Sequence, residues 1–369
     1  MGSESDYMQA TMNPSMTFKA VLTDEARNIN DAIKHFFNTR NHTPGDAFVD
    51  TYYKMIENYI LAGGKRLRPF LLVQTFKGLA ENFTKEIYRP SLSVEFLHNA
   101  SLIHDDIIDR DDTRRGNPAF HYMFKNFYDD HGYKGSTPSH FGNTMGILGG
   151  DSTFFLGLEA LQTSFPSRIN EKIIALYCQA YHQICDGVLM EMNFINLPEV
   201  SVTQYLKMIE LKTGALIEKS LLMGATFAQA SREIKEFLSS FAINLGKAFQ
   251  LKDDVLGSFG DETITGKPSD GDIKDGKKTM LLLKSLESAS ATQLTKLGSI
   301  IGDHSAKKEN IDEVRSIFKE TGALDYCMNQ VRYFSDLAIR ALTNLEDHFH
   351  SKERGILADL VSYNLHREK

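Results

Sequence analysis

Apolar residues recur along most of this chain at the three- and four-residue spacing of one face of an α-helix. The predicted helices span about 46–61, 87–109, 143–164, 169–192, 201–229, 232–256 and 325–348. The strict alternation that marks a half-buried β-strand is almost absent. Glycine and proline lie between the tracts, notably in 132–142 and 257–276. The pattern therefore predicts an all-α fold.

The domain organisation follows from the absence of breaks in this pattern. The 369 residues contain no repeat of solenoid period and no low-complexity linker. The simplest architecture is a single helical bundle with a central active-site cavity, over residues 21–369. Residues 1–20 are polar, rich in methionine and include Pro14, so we expect them to form a flexible leader.

Composition narrows the class of protein. Hydrophobic residues make up 42% and charged residues 24% of the chain, as in ordinary globular proteins. The net charge of -7 disfavours nucleic-acid binding, which needs a basic face. The three cysteines, Cys178, Cys185 and Cys327, show no CxxC spacing, which fits the reducing cytoplasm. No apolar stretch approaches the roughly 18 residues of a membrane-spanning helix.

An acidic stripe is predicted on the helix that contains residues 91–110. Advancing each residue by about 100° separates two sides of this helix. One side carries Leu92, Phe96, Ala100, Ile103 and Ile107; the other carries His98, Ser101, Asp105 and Asp109, with Val94 among them. Carboxylates four residues apart repel, so a cation should lie beside them. Flanking aliphatic residues argue against a plain solvated surface, and magnesium, which prefers oxygen ligands and phosphate, fits better than calcium.

A second acidic segment and two basic segments complete the candidate site. Asp253-Asp254 ends another apolar helix and precedes a stretch rich in glycine and lysine. The basic segments are Gly63–Pro69, reading GGKRLRP, and Thr113–Pro118, reading TRRGNP. Arginine forks suit phosphate oxygens, and lysine serves as a mobile point charge. The combination predicts a polar pocket for a phosphate-bearing substrate.

The order of these motifs resembles the trans-isoprenyl diphosphate synthases, the family of farnesyl and geranylgeranyl diphosphate synthases. The motifs are GGKRLRP (63–69), HNASLIHDDIIDRDDTRRGNP (98–118), KTGAL (212–216), FQLKDDVLGSFGD (249–261), GKPSDGDI (266–273) and DGKKT (275–279). The resemblance runs from about residue 50 to the carboxyl end. It implies a magnesium-dependent, homodimeric prenyltransferase of isoprenoid and lipid synthesis.

The resemblance also implies roles for individual residues. Asp105 and Asp109 would ligate two magnesium ions and Asp253 a third, with Asp106 and Asp254 as supporting acids. The allylic diphosphate would be bound by Arg114, Lys212 and Lys267, with Thr213, Phe249, Gln250 and Lys277 nearby. Isopentenyl diphosphate would be bound by Lys65, Arg68, His98 and Arg115. The catalytic set is then Asp105, Asp109, Arg114, Lys212, Asp253 and Lys267.

The implied reaction is ionisation of the allylic C–O bond, attack by the isopentenyl double bond, and loss of a proton to the departing diphosphate. Magnesium and basic side chains would stabilise the leaving group. The loop 257–278 is the expected lid against water. This chain departs from the family's DDxxD pattern at Gly257, where the last aspartate would stand, and carries Gly187-Val188 where Gly-Gln is common.

Product length is expected to depend on the turns beneath Asp105. Ser101 and Leu97 lie one and two turns below it, and Ser101 and Ala100 occupy positions where farnesyl synthases carry aromatic residues. Phe96, Phe154 and Phe155 are candidates for the floor of the tunnel. We expect geranylgeranyl diphosphate, with farnesyl or longer products as alternatives. A terpene cyclase is disfavoured by the second basic set, and a non-catalytic partner subunit by the intact aspartates.

Overall fold

The computed structural model describes residues 14–40, 45–260 and 269–367. Three predicted features lie wholly or partly outside these residues: Lys267, with the start of its motif; the middle of the expected lid, at 261–268; and positions 1–13 of the leader. Helix α1 begins at Pro14, where proline is favoured because its fixed φ suits a first turn, so the predicted boundary at residue 20 falls inside a helix.

Helices account for most of the described chain, which confirms the predicted all-α class. They are α1 (Pro14–Thr39), α2 (Ala47–Leu61), α3 (Leu67–Leu79), α4 (Tyr88–Ile108), α5 (Phe120–Asp130), α6 (Pro138–Ala160), α7 (Ser167–Phe194), α8 (Val202–Ile209), α9 (Ala215–Phe227), α10 (Arg232–Phe259), α11 (Gly271–Lys274), α12 (Met280–Ser288), α13 (Ala291–Ile300), α14 (Lys308–Glu320), α15 (Ala323–Thr343) and α16 (Ser351–His366). A 3₁₀ turn (Lys85–Ile87) precedes α4, and a π-helical turn (Glu210–Gly214) joins α8 to α9. Among the described residues, strands are limited to β1 (Thr113–Arg114) and β2 (Asn117–Pro118), which pair antiparallel.

One predicted loop is partly helical. Helix α6 begins at Pro138, inside the expected loop 132–142, because Thr137 Oγ1 accepts the backbone N–H of His140 and caps the first turn. The preceding residues are held by Tyr128, whose hydroxyl donates to Ser136 O at 2.5 Å and accepts from Ser136 N at 2.8 Å. The segment at 135–138 is therefore an ordered entry to a helix.

The chain divides into two compact units. The first, called the α4 unit, comprises Lys19–Cys178 and Leu222–Ala230. The second, called the α10 unit, comprises Met1–Phe18, Gln179–Leu221 and Ser231–Lys369, wherever those ranges are described. The predicted single bundle with a central cavity stays a prediction.

Close helix packing fixes the end of α4 within its unit. Helix α4 packs on α3 and α6, and α6 also packs on α5. A Cβ on Gly146 would lie 2.5 Å from Ile107 Cδ1, and one on Gly150 would lie 2.1 Å from His104 Nε2. These α6 positions therefore have no room for a side chain, and the last turn of α4 is held against α6.

The α10 unit has a core of its own. Leu251 on α10, Leu281 on α12 and Val331 on α15 are all fully buried members of one apolar cluster. Each such side chain contributes roughly 1.5–3 kcal/mol by leaving water. Within the three described ranges, no helix combines the length and apolarity of a membrane span.

Candidate active site

The acidic end of α4 presents two carboxylates from one face. The backbone N–H of Asp109 donates to Asp105 O at 2.8 Å, so helical geometry continues one residue beyond Ile108. The chain leaves the helix at Arg110, which has a left-handed φ of 57°. Both aspartates are half-buried. Their side chains are therefore held one turn apart, as the sequence predicts for a metal-binding face.

Asp106, between these two aspartates, lies in the interior and holds Arg114. The Nε of Arg114 donates to Asp106 Oδ1 at 2.7 Å, its Nη2 donates to the same oxygen, and the Tyr59 hydroxyl donates to Oδ2 at 3.0 Å. Burial raises the pKa of Asp106, and the bonds from Arg114 and Tyr59 act against that rise. Asp106 thus orients Arg114, in keeping with the supporting role predicted for it. The contact of Arg114 with a diphosphate stays a prediction.

Arg66 is a buried anchor in the middle of the first basic segment. It is 2% exposed and has a left-handed φ of 53°. Its guanidinium donates to Glu95 Oε1 at 2.7 Å, to Asn30 Oδ1 at 2.8 Å and to Ile60 O at 2.7 Å. The segment that carries Lys65 and Arg68 is therefore tied to three parts of the α4 unit through the arginine between them.

Arg68, His98 and Arg115 form one cluster, here called the basic cluster, and their binding of isopentenyl diphosphate stays a prediction. Arg68 Nη1 lies 3.2 Å from His98 Nε2, and because a guanidinium only donates, that ring nitrogen accepts. Burial lowers the pKa of His98, and the charges of Arg68 and Arg115 lower it further, so the imidazole is neutral. Arg115 Nη1 donates to Gly63 O at 2.7 Å, which links the second basic segment to the first.

The predicted chain-length residues lie below this cluster on α4. Leu97 and Ala100 are fully buried, and the Ser101 hydroxyl donates to His98 O at 2.8 Å. Phe96 packs on the ring of Phe36 in the core. Phe155 is 70% exposed, so it does not face the interior of its unit. Its assignment to a tunnel floor fails because apolar spacing on α6 does not reveal which side of that helix is covered.

A π-helical turn in the α10 unit carries Lys212 and Thr213. Helix α7 approaches this turn so closely that a Cβ on Gly187 would lie 2.5 Å from Lys212 N. Lys212 Nζ donates to Glu191 Oε2, and Thr213 Oγ1 donates to Gln250 Oε1 at 2.6 Å. The apolar periodicity of the sequence predicts neither the contact with Glu191 nor the π-turn. Such turns frequently occur at functional sites.

Asp254 is enclosed, whereas its neighbour Asp253 is partly exposed. Asp254 accepts from the Tyr205 hydroxyl and from Gln250 Nε2 at 3.0 Å, which continues the hydrogen-bond chain from Thr213. Burial, followed by the nearby charge of Asp272, raises the pKa of Asp254 to about 7. Asp254 therefore ties the end of α10 to Tyr205 and Gln250, and its role as a supporting acid stays a prediction.

Two contacts near Asp253 were not predicted from the sequence. Arg367 Nη2 donates to Asp253 Oδ1 at 2.6 Å, although 114 residues separate the two. A Cβ on Gly257 would lie 2.8 Å from Asp272 Oδ2, so a carboxylate stands beside the position of the missing aspartate. The Lys277 ammonium lies 3.7 Å from Asp272 Oδ1 and 3.8 Å from Asp275 Oδ2. The predicted residues Phe249, Gln250, Asp253 and Lys277 thus all belong to the α10 unit.

Asp105 and Asp109 are the carboxylates best placed to hold a divalent metal in the α4 unit. In the part of the chain that the structure describes, no group of three or more His, Cys, Asp and Glu side chains is arranged to hold a metal ion. Magnesium usually takes only one or two carboxylates and completes its shell with water and substrate phosphate. The paired, half-buried oxygens of Asp105 and Asp109 fit that kind of site.

Comparison with known proteins places the chain in a family. A model of the polyprenyl synthetase family matches residues 49–319. The chain is 32% identical over 329 residues to a geranylgeranyl diphosphate synthase from Saccharolobus solfataricus, covering 87% of this chain and 93% of that protein. It is 32% identical over 315 residues to a geranylfarnesyl diphosphate synthase from Aeropyrum pernix, covering 84% and 92%. A geranylgeranyl pyrophosphate synthase from Corynebacterium glutamicum, solved with isoprenyl diphosphate and magnesium, has a TM-score of 0.86 at 27% identity, covering 95% of this chain and 98% of that one.

The family match includes every motif on which the resemblance rests, from GGKRLRP at 63–69 to DGKKT at 275–279. The all-α structure agrees with it over nearly the whole chain. The order of the motifs therefore predicted the family correctly: the chain belongs to the polyprenyl synthetase family and is a trans-prenyltransferase.

Proposed function

We propose that this enzyme condenses isopentenyl diphosphate with dimethylallyl, geranyl and farnesyl diphosphates to form geranylgeranyl diphosphate. The observation that carries the proposal lies on one helix. Helix α4 bears the acidic pair Asp105–Asp109 at its end and His98 of the basic cluster two turns earlier. Two different phosphate-binding chemistries on one helix suit a reaction of two diphosphates. A terpene cyclase, with one diphosphate, has no use for the second.

The acidic residues suit binding of the allylic diphosphate through magnesium. We assign two ions to Asp105 and Asp109 and a third to Asp253. When bound, magnesium supplies electrostatic stabilisation to the departing diphosphate. We assign the remaining contacts with that diphosphate to Arg114, Lys212, Thr213, Phe249, Gln250, Lys267 and Lys277. Asp106 holds Arg114, and Glu191 holds Lys212, so both cations have fixed directions before substrate arrives.

The basic cluster suits isopentenyl diphosphate without a metal. Arg68 and Arg115 provide charge, and neutral His98 carries its proton on Nδ1 because Nε2 accepts from Arg68. Lys65 is assigned to the same diphosphate. The allylic C–O bond breaks, the isopentenyl double bond attacks the cation, and the proton lost in forming the new double bond goes to the departing diphosphate.

We assign product length to Leu97, Ala100 and Ser101. We expect the small side chains at Ala100 and Ser101 to leave space beneath Asp105 for a growing prenyl chain. The relatives include synthases of geranylgeranyl and of geranylfarnesyl diphosphate at equal identity. Longer products are therefore the main alternative, ahead of farnesyl diphosphate.

We propose that the enzyme is a homodimer that pairs through α6. Phe155, Ile147 and Leu148 are 70%, 53% and 48% exposed and lie within about 100° of one another around this helix. Exposed apolar stripes of this kind favour a self-complementary contact. Phe155→Arg should convert dimer to monomer in sedimentation, whereas an unchanged mass would exclude this face.

The three free cysteines suit the cytoplasm, where we place the reaction.

The catalytic proposal is tested with purified protein, magnesium and labelled isopentenyl diphosphate, using each allylic primer in parallel. We expect labelled geranylgeranyl diphosphate and released pyrophosphate. Asp105→Asn and Asp109→Asn should each lower kcat at least about 100-fold, whereas Asp130→Asn, at an exposed position on α5, should not. A hydrocarbon formed from the allylic substrate alone would indicate a cyclase. No turnover with any primer would indicate a non-catalytic subunit.

A further inference from the structure

Arg367, the first residue after α16, carries a side chain that the α10 unit encloses. Its Nε donates to Asn364 Oδ1 at 2.9 Å, and its Nη2 donates to Phe249 O at 3.1 Å. The guanidinium carbon lies 3.9 Å from the centre of the Phe249 ring. The side chain is 5% exposed. Because arginine does not lose its proton in proteins, this is a fixed positive charge.

The same guanidinium contacts one oxygen of Asp253. Arg367 Nη2 donates to Asp253 Oδ1 at 2.6 Å in a short, charge-assisted hydrogen bond. The Asp253 side chain is 40% exposed, so its carboxylate opens outward while its partner is enclosed. Phe249 and Asp253 lie one turn apart on α10, and one rigid group therefore touches both. Stacking and two neutral acceptors hold this group even without the carboxylate.

We propose that Arg367 is a resident counter-ion of Asp253 that weakens metal binding there until a diphosphate is bound. The inference rests on the proposed function, which makes Asp253 a magnesium ligand. A carboxylate carries one negative charge, and Arg367 already neutralises it. A divalent cation on the same carboxylate is repelled by a guanidinium that its other partners hold in place. A bound diphosphate supplies negative charge and removes this penalty.

A second role for the contact would give the opposite result. If Arg367 only orients the Asp253 carboxylate, then its removal loosens a ligand and weakens metal binding. If Arg367 only attaches α16 to α10, then its removal lowers stability and leaves metal binding unchanged. The sign of the change in metal affinity therefore separates the three roles.

The test uses Mn²⁺ alone, without any prenyl substrate, and measures the metal-induced rise in the thermal unfolding midpoint of the full chain. Arg367→Gln should bind Mn²⁺ about tenfold more tightly, so that its midpoint rises at lower metal concentration. Arg367→Lys keeps the charge and should resemble the wild type. A weaker or an unchanged response in Arg367→Gln would overturn the proposal.

Three controls complete the test. In an Asp253→Asn background, Arg367→Gln should have no effect on the metal response; an effect there would show that the charge acts elsewhere. Arg332→Gln, at an exposed arginine on α15 whose Nη1 donates to Asn329 of the same helix, should behave as wild type. If Arg367→Gln does not fold, Arg367→Met, which can remain on the Phe249 ring, repeats the measurement. This test measures metal binding without substrate, so its result does not depend on turnover. A failure of the separate prenyl-transfer assay would reject the proposed function without deciding the role of Arg367.

Discussion

The Oδ2 atom of Asp272 stands 2.8 Å from the position that a Cβ of Gly257 would occupy. The DDxxD pattern of the family would put an aspartate there. In this chain the space beside α10 is already used by a carboxylate that comes from α11, within the same unit. Restoring the family residue would therefore force two acidic groups together.

We expect Gly257→Asp to lower the free energy of unfolding by about 1–3 kcal/mol and to leave kcat no higher than wild type, because of crowding and like-charge repulsion. Chemical denaturation and initial rates measure both effects. Adding Asp272→Ala should restore most of the stability. A more active Gly257→Asp single variant would show that Asp272 moves aside without cost and that the missing acid limits the enzyme.

Replacing either of two arginines in the first basic segment by glutamine should affect different properties: stability for Arg66, and the KM for isopentenyl diphosphate for Arg68. Arg66→Gln leaves Glu95 buried without its charged partner and should cost about 3–5 kcal/mol of stability. Arg68→Gln should leave stability nearly unchanged and raise the KM for isopentenyl diphosphate roughly tenfold, because it removes a charged contact with substrate. Thermal unfolding and steady-state kinetics on the pair decide this. Equal loss of stability in both would assign Arg68 to the core.

The neutral state of His98 predicts a pH dependence of stability. Its pKa lies below the ordinary 6.5, so under acid the folded state binds fewer protons than the unfolded state. The contribution of neutral His98 to the free energy of unfolding is fully present above pH 6.5, and it is lost as the pH falls toward and through the lowered pKa. His98→Gln should lose less stability than wild type between about pH 7.5 and pH 5. Parallel pH slopes in denaturant unfolding would mean that His98 has an unperturbed pKa.

Product length should respond to Ser101. Ser101→Phe places a ring on the turn below Asp105 and should shift the main product from geranylgeranyl to farnesyl diphosphate, because the ring fills the path of the growing chain. Ser101→Ala, the matched control, should leave the product unchanged. Chromatography of the products from labelled isopentenyl diphosphate gives the answer. Unchanged length in Ser101→Phe would place the tunnel elsewhere.

Local patterns predicted the features that depend on one helix. The stripe of Asp105 and Asp109 follows directly from a 3.6-residue period, and so does the burial of Phe96 and Ala100. The period could not distinguish Arg66, an anchor in the core, from Arg68 two residues later, because both lie in a segment without apolar periodicity. Nor could it indicate that Phe155 faces outward, since both sides of α6 are rich in apolar residues.

Contacts between distant parts of the chain are the ones that the sequence did not reveal. The Arg367–Asp253 pair joins the residue that follows α16 to a residue on α10, and nothing in either local sequence points to the other. The start of α6 at Pro138 was missed for a different reason. The residue that caps it, Thr137, lies in a stretch whose glycine and proline content is typical of a loop. Packing against α4 and α5 stabilises α6 as a helix despite this local sequence.

The π-helical turn at Glu210–Gly214 amounts to one residue more than an α-helix needs over the same rise. Such a turn can arise through insertion of a single codon, but it cannot be removed as easily. Deleting one residue would close the turn into an ordinary α-helical turn and would move the residues within it by one position, about 100°, around the helix axis. Lys212 would then turn away from Glu191, or Thr213 from Gln250. This chain should tolerate almost no change in the length of the turn, because Lys212 and Thr213 would lose their present directions.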